Sequence, residues 1–391
     1  MKALYDVAIS GGGPAGSYCA YRCAQAGLST VLLERQLPPW TKTCAGGVLM
    51  RAASRLDFPI PESIVEKKVV GFHVVGEDFR ERFRFDRCLT YTVDRTAFDL
   101  HLLRMAERAG AEIRCGQAVE SVRESDNVEL STSHGSVSAK CAVIAEGAGS
   151  RNARRLLGPP PRGGMAMGLR SVDPTEEDPG DEIEVFLLDT PTKRLERYPM
   201  FPLMGWMFPY RGRANFGVGG HGYGRTELMT GMGKVWDWSL AKAVGRGRPS
   251  AHPIPVLPRD RLSTSRTMLV GDAAGLVSPM SGEGLSHGLA SAILASEAAA
   301  SFVNGEAGAV QNYEKRVNDT VVRDIKAAMV ISPILHWLLG VVDTRAFFHT
   351  VRQEGPYVDA WTRMALGEET WQRLLMMTIP RFHRLFFRSL T

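Results

Sequence analysis

The sequence predicts an α/β fold in three parts, on three observations. A glycine-rich turn near the N-terminus joins a short apolar run to a helical pattern; apolar and charged residues alternate through much of the middle of the chain; and helical periodicity rich in alanine and leucine takes over from Gly284. Together they describe a Rossmann-like domain interrupted by an antiparallel sheet, with a helical C-terminal region.

Each element follows from local pattern. Residues 4–9 are mostly apolar and end in Ser10-Gly11-Gly12-Gly13-Pro14-Ala15-Gly16, after which residues 17–26 read as helix and Gly27 stops it. Residues 29–33 are rich in β-formers and end at Glu34, so 4–34 make one βαβ unit of about 30 residues. Across 69–93, Phe79, Phe83 and Phe85 alternate with Arg80, Arg82 and Arg84, the pattern of antiparallel strands with one wet face. Residues 96–109 read as an amphipathic helix and 112–115 as a strand, while 128–133 and 136–145 read as a hairpin turning at His134 and Gly135. Short strands at 167–171, 183–188, 205–209 and 215–219 show no helical periodicity until about Leu228 and predict one antiparallel sheet. A strand at 268–270, a strong helix at 284–303 and mostly helical pattern over 311–391 complete the chain. These boundaries assign 1–68, 94–164 and 258–310 to the Rossmann-like domain, 69–93 and 165–257 to the sheet domain, and 311–391 to the helical region.

Composition excludes several classes. The 391 residues are 44% hydrophobic and 23% charged, as in a globular protein able to bury a sizeable core, and no segment has the bias of a linker or an internal repeat. The N-terminus lacks the long apolar core of a signal peptide, which predicts a cytoplasmic setting. Six cysteines at 19, 23, 44, 88, 115 and 141 show neither Cys-x-x-Cys nor a metal-ligand spacing with histidine, so reduced thiols are expected, with no zinc and no disulfide framework. A net charge of +5 is that of a solvated surface and does not point to nucleic acid.

Gly11, Gly13 and Gly16 satisfy Gly-x-Gly-x-x-Gly between a predicted strand and a predicted helix. The first permits the tight turn, the second lets backbone approach a pyrophosphate, and the third lets helix pack on strand, with the diphosphate at the positive helix end. Glu34, 18 residues beyond Gly16, has the spacing of a carboxylate that grips adenosine ribose hydroxyls. This constellation predicts a dinucleotide and leaves NAD and FAD open.

The choice comes from a resemblance. Val270-Gly271-Asp272-Ala273-Ala274-Gly275 resembles the Gly-Asp motif of FAD enzymes of the p-hydroxybenzoate hydroxylase type, which implies FAD, with Asp272 bonding the ribityl chain. Ala145-Glu146-Gly147-Ala148-Gly149-Ser150 followed by Arg154 resembles their second motif, Asp-Gly-x-x-Ser-x-x-Arg, with glutamate for aspartate and the arginine one position further on. Arg95 matches the arginine that opens the helix before the third strand and reaches toward the cofactor. Gly282-Glu283-Gly284 resembles the site where helix N-terminal N–H groups meet the flavin pyrimidine edge, which is anionic in the reduced state. His287, one turn later, reads as a packed helix residue rather than a catalyst.

Two further stretches are similar to geranylgeranyl reductases. Lys42-Thr43-Cys44-Ala45-Gly46-Gly47 resembles their Lys-x-Cys-Gly-Gly-Gly segment, and residues 198–209, with Trp206-Met207-Phe208-Pro209, resemble their Tyr-x-Trp-x-Phe-Pro motif; Ala45 replaces a glycine and Met204 a tyrosine. The resemblance covers most of residues 1–310 and implies reduction of isolated C=C bonds in a prenyl chain, hydride leaving flavin N5 and a proton reaching the other carbon. It makes Cys44 the candidate proton donor or positioning group, with Lys42 beside it. It carries FAD contacts onto Gly11, Gly13, Pro14, Ala15, Gly16, Glu34 and Arg35, onto Cys44, Ala45, Arg95, Val119, Glu146 and Gly147, and onto Gly271, Asp272, Gly282, Gly284 and Leu285. Trp206, Phe208 and Pro279 are the expected substrate pocket. The implied partners are an apolar or prenylated small molecule and an external electron donor, NADPH or ferredoxin. The glycines of 217–224 lie in the sheet region, so no separate NADPH-binding domain is expected. Two alternatives share the nucleotide motifs: an FAD-dependent aromatic monooxygenase or halogenase, against which the halogenase Trp-x-Trp-x-Ile-Pro pattern is absent, and a non-catalytic flavin electron carrier, against which the sheet insertion argues.

The tail adds a separate expectation. Residues 330–342 form an apolar run of about 13 residues, too short to span a bilayer and suited to a buried or interfacial helix. Residues 371–391 contain Arg373, Arg381, Arg384 and Arg388 and no acid, and 380–390 could form an amphipathic helix. Such a helix suits packing on the protein body or peripheral contact with the anionic inner face of a membrane.

Overall fold

A computed structural model describes residues 4–188, 202–353 and 355–378. The glycine-rich turn joins β1 (Leu4–Ser10) to α1 (Pro14–Gln25), which leads to β2 (Thr30–Glu34). Val7, Ala8 and Ile9 are fully buried in succession, so both faces of β1 need cover, as in a central parallel strand. The next elements are β3 (Gly47–Leu49), α2 (Met50–Ala53), β4 (Val65–Val69), β5 (Gly71–Val75), β6 (Arg80–Arg84) and β7 (Thr90–Val93). Then come α3 (Arg95–Arg108), β8 (Glu112–Cys115), β9 (Val119–Glu124), β10 (Val128–Thr132), β11 (Gly135–Ile144) and α4 (Arg151–Leu157). Asp94 caps α3 by accepting from the Thr96 and Ala97 N–H groups.

The first sheet runs β8-β2-β1-β11-β10-β9, with β17 (Thr267–Leu269) paired to β11. Its nucleotide half is parallel, and β9-β10-β11 close it as an antiparallel meander. One face is covered by α1, α3 and α6 (Leu285–Val303), which pack Phe98, Leu102, Leu289 and Ala292 against Val7, Ile9 and Leu32. The meander folds Val128, Leu130 and Val137 against Ala8, Val31 and Leu33 on the other face.

The second sheet takes β12 (Met165–Pro174), β13 (Glu182–Leu187), β14 (Met204–Tyr210), β15 (Arg213–Gly220) and β16 (Ser250–Pro255), in the order β16-β12-β15-β14-β13-β5-β6. Its pairs are antiparallel except that β5 and β13 run parallel. The expectation that 69–93 lies wholly in this sheet is corrected by β7, which leaves to form a three-stranded sheet with β3 and β4. The switch sits at Val70, the single residue between β4 and β5, whose N–H bonds Asp181 and whose carbonyl accepts from Phe85. Along β14 the period of two buries Met207 and Pro209 and turns Trp206 and Phe208 to the opposite face. Helix α5 (Arg225–Trp238) covers the buried face, packing Leu228, Met232 and Val235 against Phe186, Met207 and Phe216.

The helical region comprises α7 (Ala309–Val317), a π turn at Asn318–Val322, α8 (Arg323–Val341), α9 (Thr344–Gln353), α10 (Gly355–Leu366) and α11 (Trp371–Thr378). The continuous run Ala309–Val341 is long and apolar enough to cross a membrane by length and composition alone, and 33% of its most apolar window is buried. A buried polar cluster fastens α8 to the body. Asp324 lies 3.6 Å from both Arg51 of α2 and His287 of α6, and it accepts from the Trp371 N–H of α11 at 2.6 Å. Most of the basic C-terminal stretch, residues 379–391, lies outside the described residues, as does Tyr198.

Candidate active site

The glycine turn is built as its spacing demands. Gly11 has φ +109°, and a Cβ there would meet the Ala145 carbonyl oxygen at 2.4 Å, while a Cβ on Gly16 would lie 2.0 Å from the Gly11 oxygen. At Gly13 a Cβ would meet nothing within 4 Å among the described residues, so the backbone there faces open space. Pro14 occupies the first turn of α1, where no N–H is needed. Ala15 packs where α1 meets both the turn at residues 271–274 and α6: a Cβ on Gly271 would lie 3.2 Å, and one on Gly288 3.6 Å, from the Ala15 methyl. The buried Glu34 carboxylate accepts from the Gly12 N–H at 2.6 Å and the Gln36 N–H at 2.9 Å, leaving lone pairs for a further donor. Arg35 is exposed at the same end of the cavity.

Glu146, the departure from the family motif, is held by three donors. Ser10 Oγ and Asn152 Nδ2 bond one oxygen at 2.6 and 2.7 Å, and Ser150 Oγ bonds the other at 2.7 Å. Val119 accepts the second Asn152 hydrogen at 3.0 Å, which ties β9 to the start of α4. Arg154 is exposed, and it is Arg151 and Asn152 that line the cavity, alongside Gly147.

The loop carrying Cys44 is clamped by the second sheet. Arg170 donates to the Lys42 carbonyl at 3.0 Å, Asn215 to the Cys44 carbonyl at 2.8 Å, and Tyr210 Oη to the Ala45 carbonyl at 3.1 Å. Gly46, at φ +80°, leaves a space that Tyr210 Oη fills, and Cys44 Sγ accepts from the Gly46 N–H at 3.4 Å. Burial pushes the Tyr210 phenol up to about 12. Arg95 grips Asp99 with two parallel bonds of 2.8 and 2.9 Å. Burial opposes its charge, but Asp99 and then the Cys44 thiol beside it hold the guanidinium above its ordinary value. Lys42 Nζ donates to His252 Nε2 at 2.7 Å, and burial, followed by that ammonium, pushes His252 down to about 4. The imidazole is therefore neutral near pH 7.

Asp272 sits on a 3₁₀ turn and makes no hydrogen bond through its carboxylate among the described residues. A Cβ on Gly284 would lie 3.2 Å from its Oδ1, so glycine lets the N-terminus of α6 come up against Asp272. Glu283 caps the Ser286 N–H at 2.6 Å, leaving the first N–H groups of α6, at Gly284 and Leu285, for a ligand.

All of this opens into one cavity of about 1190 Å³. Gly11, Gly13, Glu34, Glu146 and Asp272 line it, together with Lys42, Cys44, Ala45, Arg95 and Gly282. The same cavity has a large apolar lining, from Phe72, Phe83, Val185, Trp206 and Phe208 of the sheet and from Leu335, Leu338, Phe347, Phe348 and Leu375 of the C-terminal helices. Gly217 accommodates the Trp206 indole, which a Cβ there would strike at 2.1 Å, and Trp206 Nε1 donates to Asn215 at 3.3 Å. Pro279, an expected pocket residue, does not line the cavity. Bonds from Gly282 N–H to the Ser278 carbonyl and from Ser278 N–H to the Glu283 carbonyl close a turn that buries Pro279 and presents Val277 and Met280 instead. Arg170, Tyr210, Asn215 and His252 were missed by sequence reasoning. Each sits in a strand whose only local signal is alternation.

Residues 4–321 match the profile of the FAD binding domain family. The chain belongs to that family. Geranylgeranyl diphosphate reductase of Rhodobacter capsulatus is 28% identical over 320 residues, spanning 76% of this chain and 76% of its own. Digeranylgeranylglycerophospholipid reductase 2 of Methanothermobacter thermautotrophicus is 28% identical over 360 residues, 85% of this chain and 88% of its own. Among solved structures, a geranylgeranyl bacteriochlorophyll reductase-like protein from Thermoplasma acidophilum has a TM-score of 0.76 at 20% identity, covering 100% of this chain and 97% of that one. A triple mutant of the flavin-dependent brominase Bmp2 has a TM-score of 0.70 at 18% identity, covering 97% and 100%. These likenesses establish a shared fold. The residues of this FAD-binding protein fit the cofactor: Gly13 faces open space where a diphosphate would lie, Glu34 retains acceptor capacity, and among the described residues Asp272 has no donor to its carboxylate and the α6 N-terminus has no side-chain cap on its first N–H groups, at Gly284 and Leu285. The protein is an FAD-dependent oxidoreductase.

Proposed function

We propose that this oxidoreductase saturates C=C bonds in a prenyl chain of geranylgeranyl type. The observation that carries the reading is that one cavity is lined by the flavin residues, by Cys44 and by a large apolar surface. A channel walled by Phe72, Trp206, Phe208, Leu335 and Leu338 suits an extended hydrocarbon and excludes water from the reacting bond. Bound FAD, reduced by an external donor such as NADPH or ferredoxin, supplies the hydride. The chain's own part is to place and protonate. Asp272 and the α6 N-terminus orient the cofactor, the latter favouring negative charge. Arg170, Asn215 and Tyr210 fix the Lys42–Ala45 backbone, so that the Cys44 thiol is held on a rigid loop that lines the cavity. Arg95, kept charged by Asp99, holds a fixed positive charge beside the thiol, and the Lys42–His252 pair lines the same cavity. The likeness to the reductases of Rhodobacter and Methanothermobacter supports this reading over an aromatic monooxygenase or halogenase.

Mass spectrometry of a geranylgeranyl lipid after anaerobic incubation with the chemically reduced holoprotein tests it. Saturated product supports prenyl reduction. Unchanged lipid, together with oxygen-dependent modification of an aromatic compound, would select the monooxygenase or halogenase reading instead.

A further inference from the structure

The outer face of α8 has a composition that the reaction does not use. The exposed positions of this helix are 323, 326, 330, 334, 337 and 341, one to each turn. They read Arg323, Lys326, Val330, Ile334, Trp337 and Val341, two cations followed by four large apolar residues. Val330 is 48% exposed, Ile334 39%, Trp337 42% and Val341 47%, and Met376 of α11 adds a further exposed apolar side chain. No acid occurs from Ile325 to Val342, and the exposed Arg345 follows on α9. The opposite face of the same helix, with Leu335, Leu338 and Leu339, is a wall of the cavity, and Ile334 belongs to both the cavity lining and the exposed stripe.

We propose that the outer face of α8 docks this protein on an anionic lipid bilayer, with the cavity opening onto that surface beside Ile334. Charge selects the occupant. An apolar stripe carrying a tryptophan and flanked by Arg323, Lys326 and Arg345 suits the boundary between acyl chains and anionic headgroups. The chain also leaves α11, which packs on α8 through Leu374 and Leu375, into thirteen residues with Arg381, His383, Arg384 and Arg388 and no acid. The helix lies along the surface and does not cross it, because Asp324 at its start is tied to Arg51, His287 and α11. Docking delivers an apolar chain to the channel sideways from the lipid. Binding is read without turnover, so this inference and the reading of the reaction can fail separately.

Flotation of the FAD-loaded full chain with vesicles of phosphatidylcholine, with and without phosphatidylglycerol, is the test. The chain floats with the anionic vesicles, and Val330→Glu with Val341→Glu lowers the bound fraction at least about tenfold at unchanged FAD content. Brominated lipid quenches tryptophan fluorescence of the wild type, and the conservative Trp337→Phe removes that quenching. The proposal is overturned if the double variant floats like the wild type, if quenching survives Trp337→Phe, or if the wild type stays with the soluble fraction. A soluble dimer that dissociates in the double variant, without flotation, overturns it in favour of a second copy of the chain.

Discussion

At the scale of single residues, two glycines of one turn have opposite reasons to be glycine. Gly11 is required by the protein itself, since its φ is +109° and a Cβ would lie 2.4 Å from the Ala145 oxygen. Gly11→Ala should cost about 2–5 kcal/mol of stability, read as a fall in Tm of the apoprotein. Gly13 has φ −70°, open to any residue, and nothing within reach of a Cβ. Gly13→Ala should leave the apoprotein Tm near that of the wild type while FAD affinity, measured by flavin fluorescence, falls at least about tenfold, or about 1.4 kcal/mol. Equal effects of the two on apoprotein stability would refute the distinction. Replacing Cys44 by alanine should retain FAD and lower turnover by roughly 10²-fold or more if the thiol delivers the proton; unchanged turnover rejects that role. The three glycines and Glu34 could be proposed from local spacing, and Asp272 from the resemblance of Gly271-Asp272 to a family motif. His252, Asn215 and Tyr210 could not, because what makes them matter is a loop of residues 42–46 folded onto strands far along the chain.

At the scale of elements, the register of the second sheet concentrates charge on Glu182. It accepts from Arg82 and Arg84 of β6 and from His73 of β5. Burial pushes its pKa up, but the bonds from Arg82 and Arg84 outweigh this and hold it at about 2, below the ordinary 4.5. A carboxylate whose folded pKa is depressed stabilises the fold fully above its unfolded value and loses that contribution as pH falls between the two. The Tm advantage of the wild type over Glu182→Gln should therefore be constant above pH 4.5 and shrink as pH falls toward about 2. An advantage independent of pH over that range would show that the ion pairs do not carry it. The alternation of Phe83 with Arg82 and Arg84 foretold a strand with one wet face. It could not foretell that β5 would pair β13 in parallel, nor that β7 would leave for another sheet, since periodicity fixes which side chains share a face and not which strand lies alongside.

At the scale of the whole molecule, three parts meet around one cavity. The parallel sheet contributes the nucleotide loops, the second sheet clamps the Cys44 loop and forms one apolar wall, and α8, α9 and α11 form the facing wall. That the C-terminal helices complete the channel was hidden in the sequence, because an amphipathic helix declares an apolar face without declaring what it covers. The residues that name the cofactor are local in sequence, whereas those that shape the channel are gathered from strands and helices spread between Phe72 and Leu375. The measurement that bears most directly on the central claim is anaerobic stopped-flow absorbance of the reduced holoprotein. Mixing it with a geranylgeranyl lipid should return the oxidised flavin spectrum without oxygen, at a rate that rises with lipid concentration and collapses for the fully saturated lipid. A flavin that stays reduced until oxygen is admitted, with either lipid, would contradict the account.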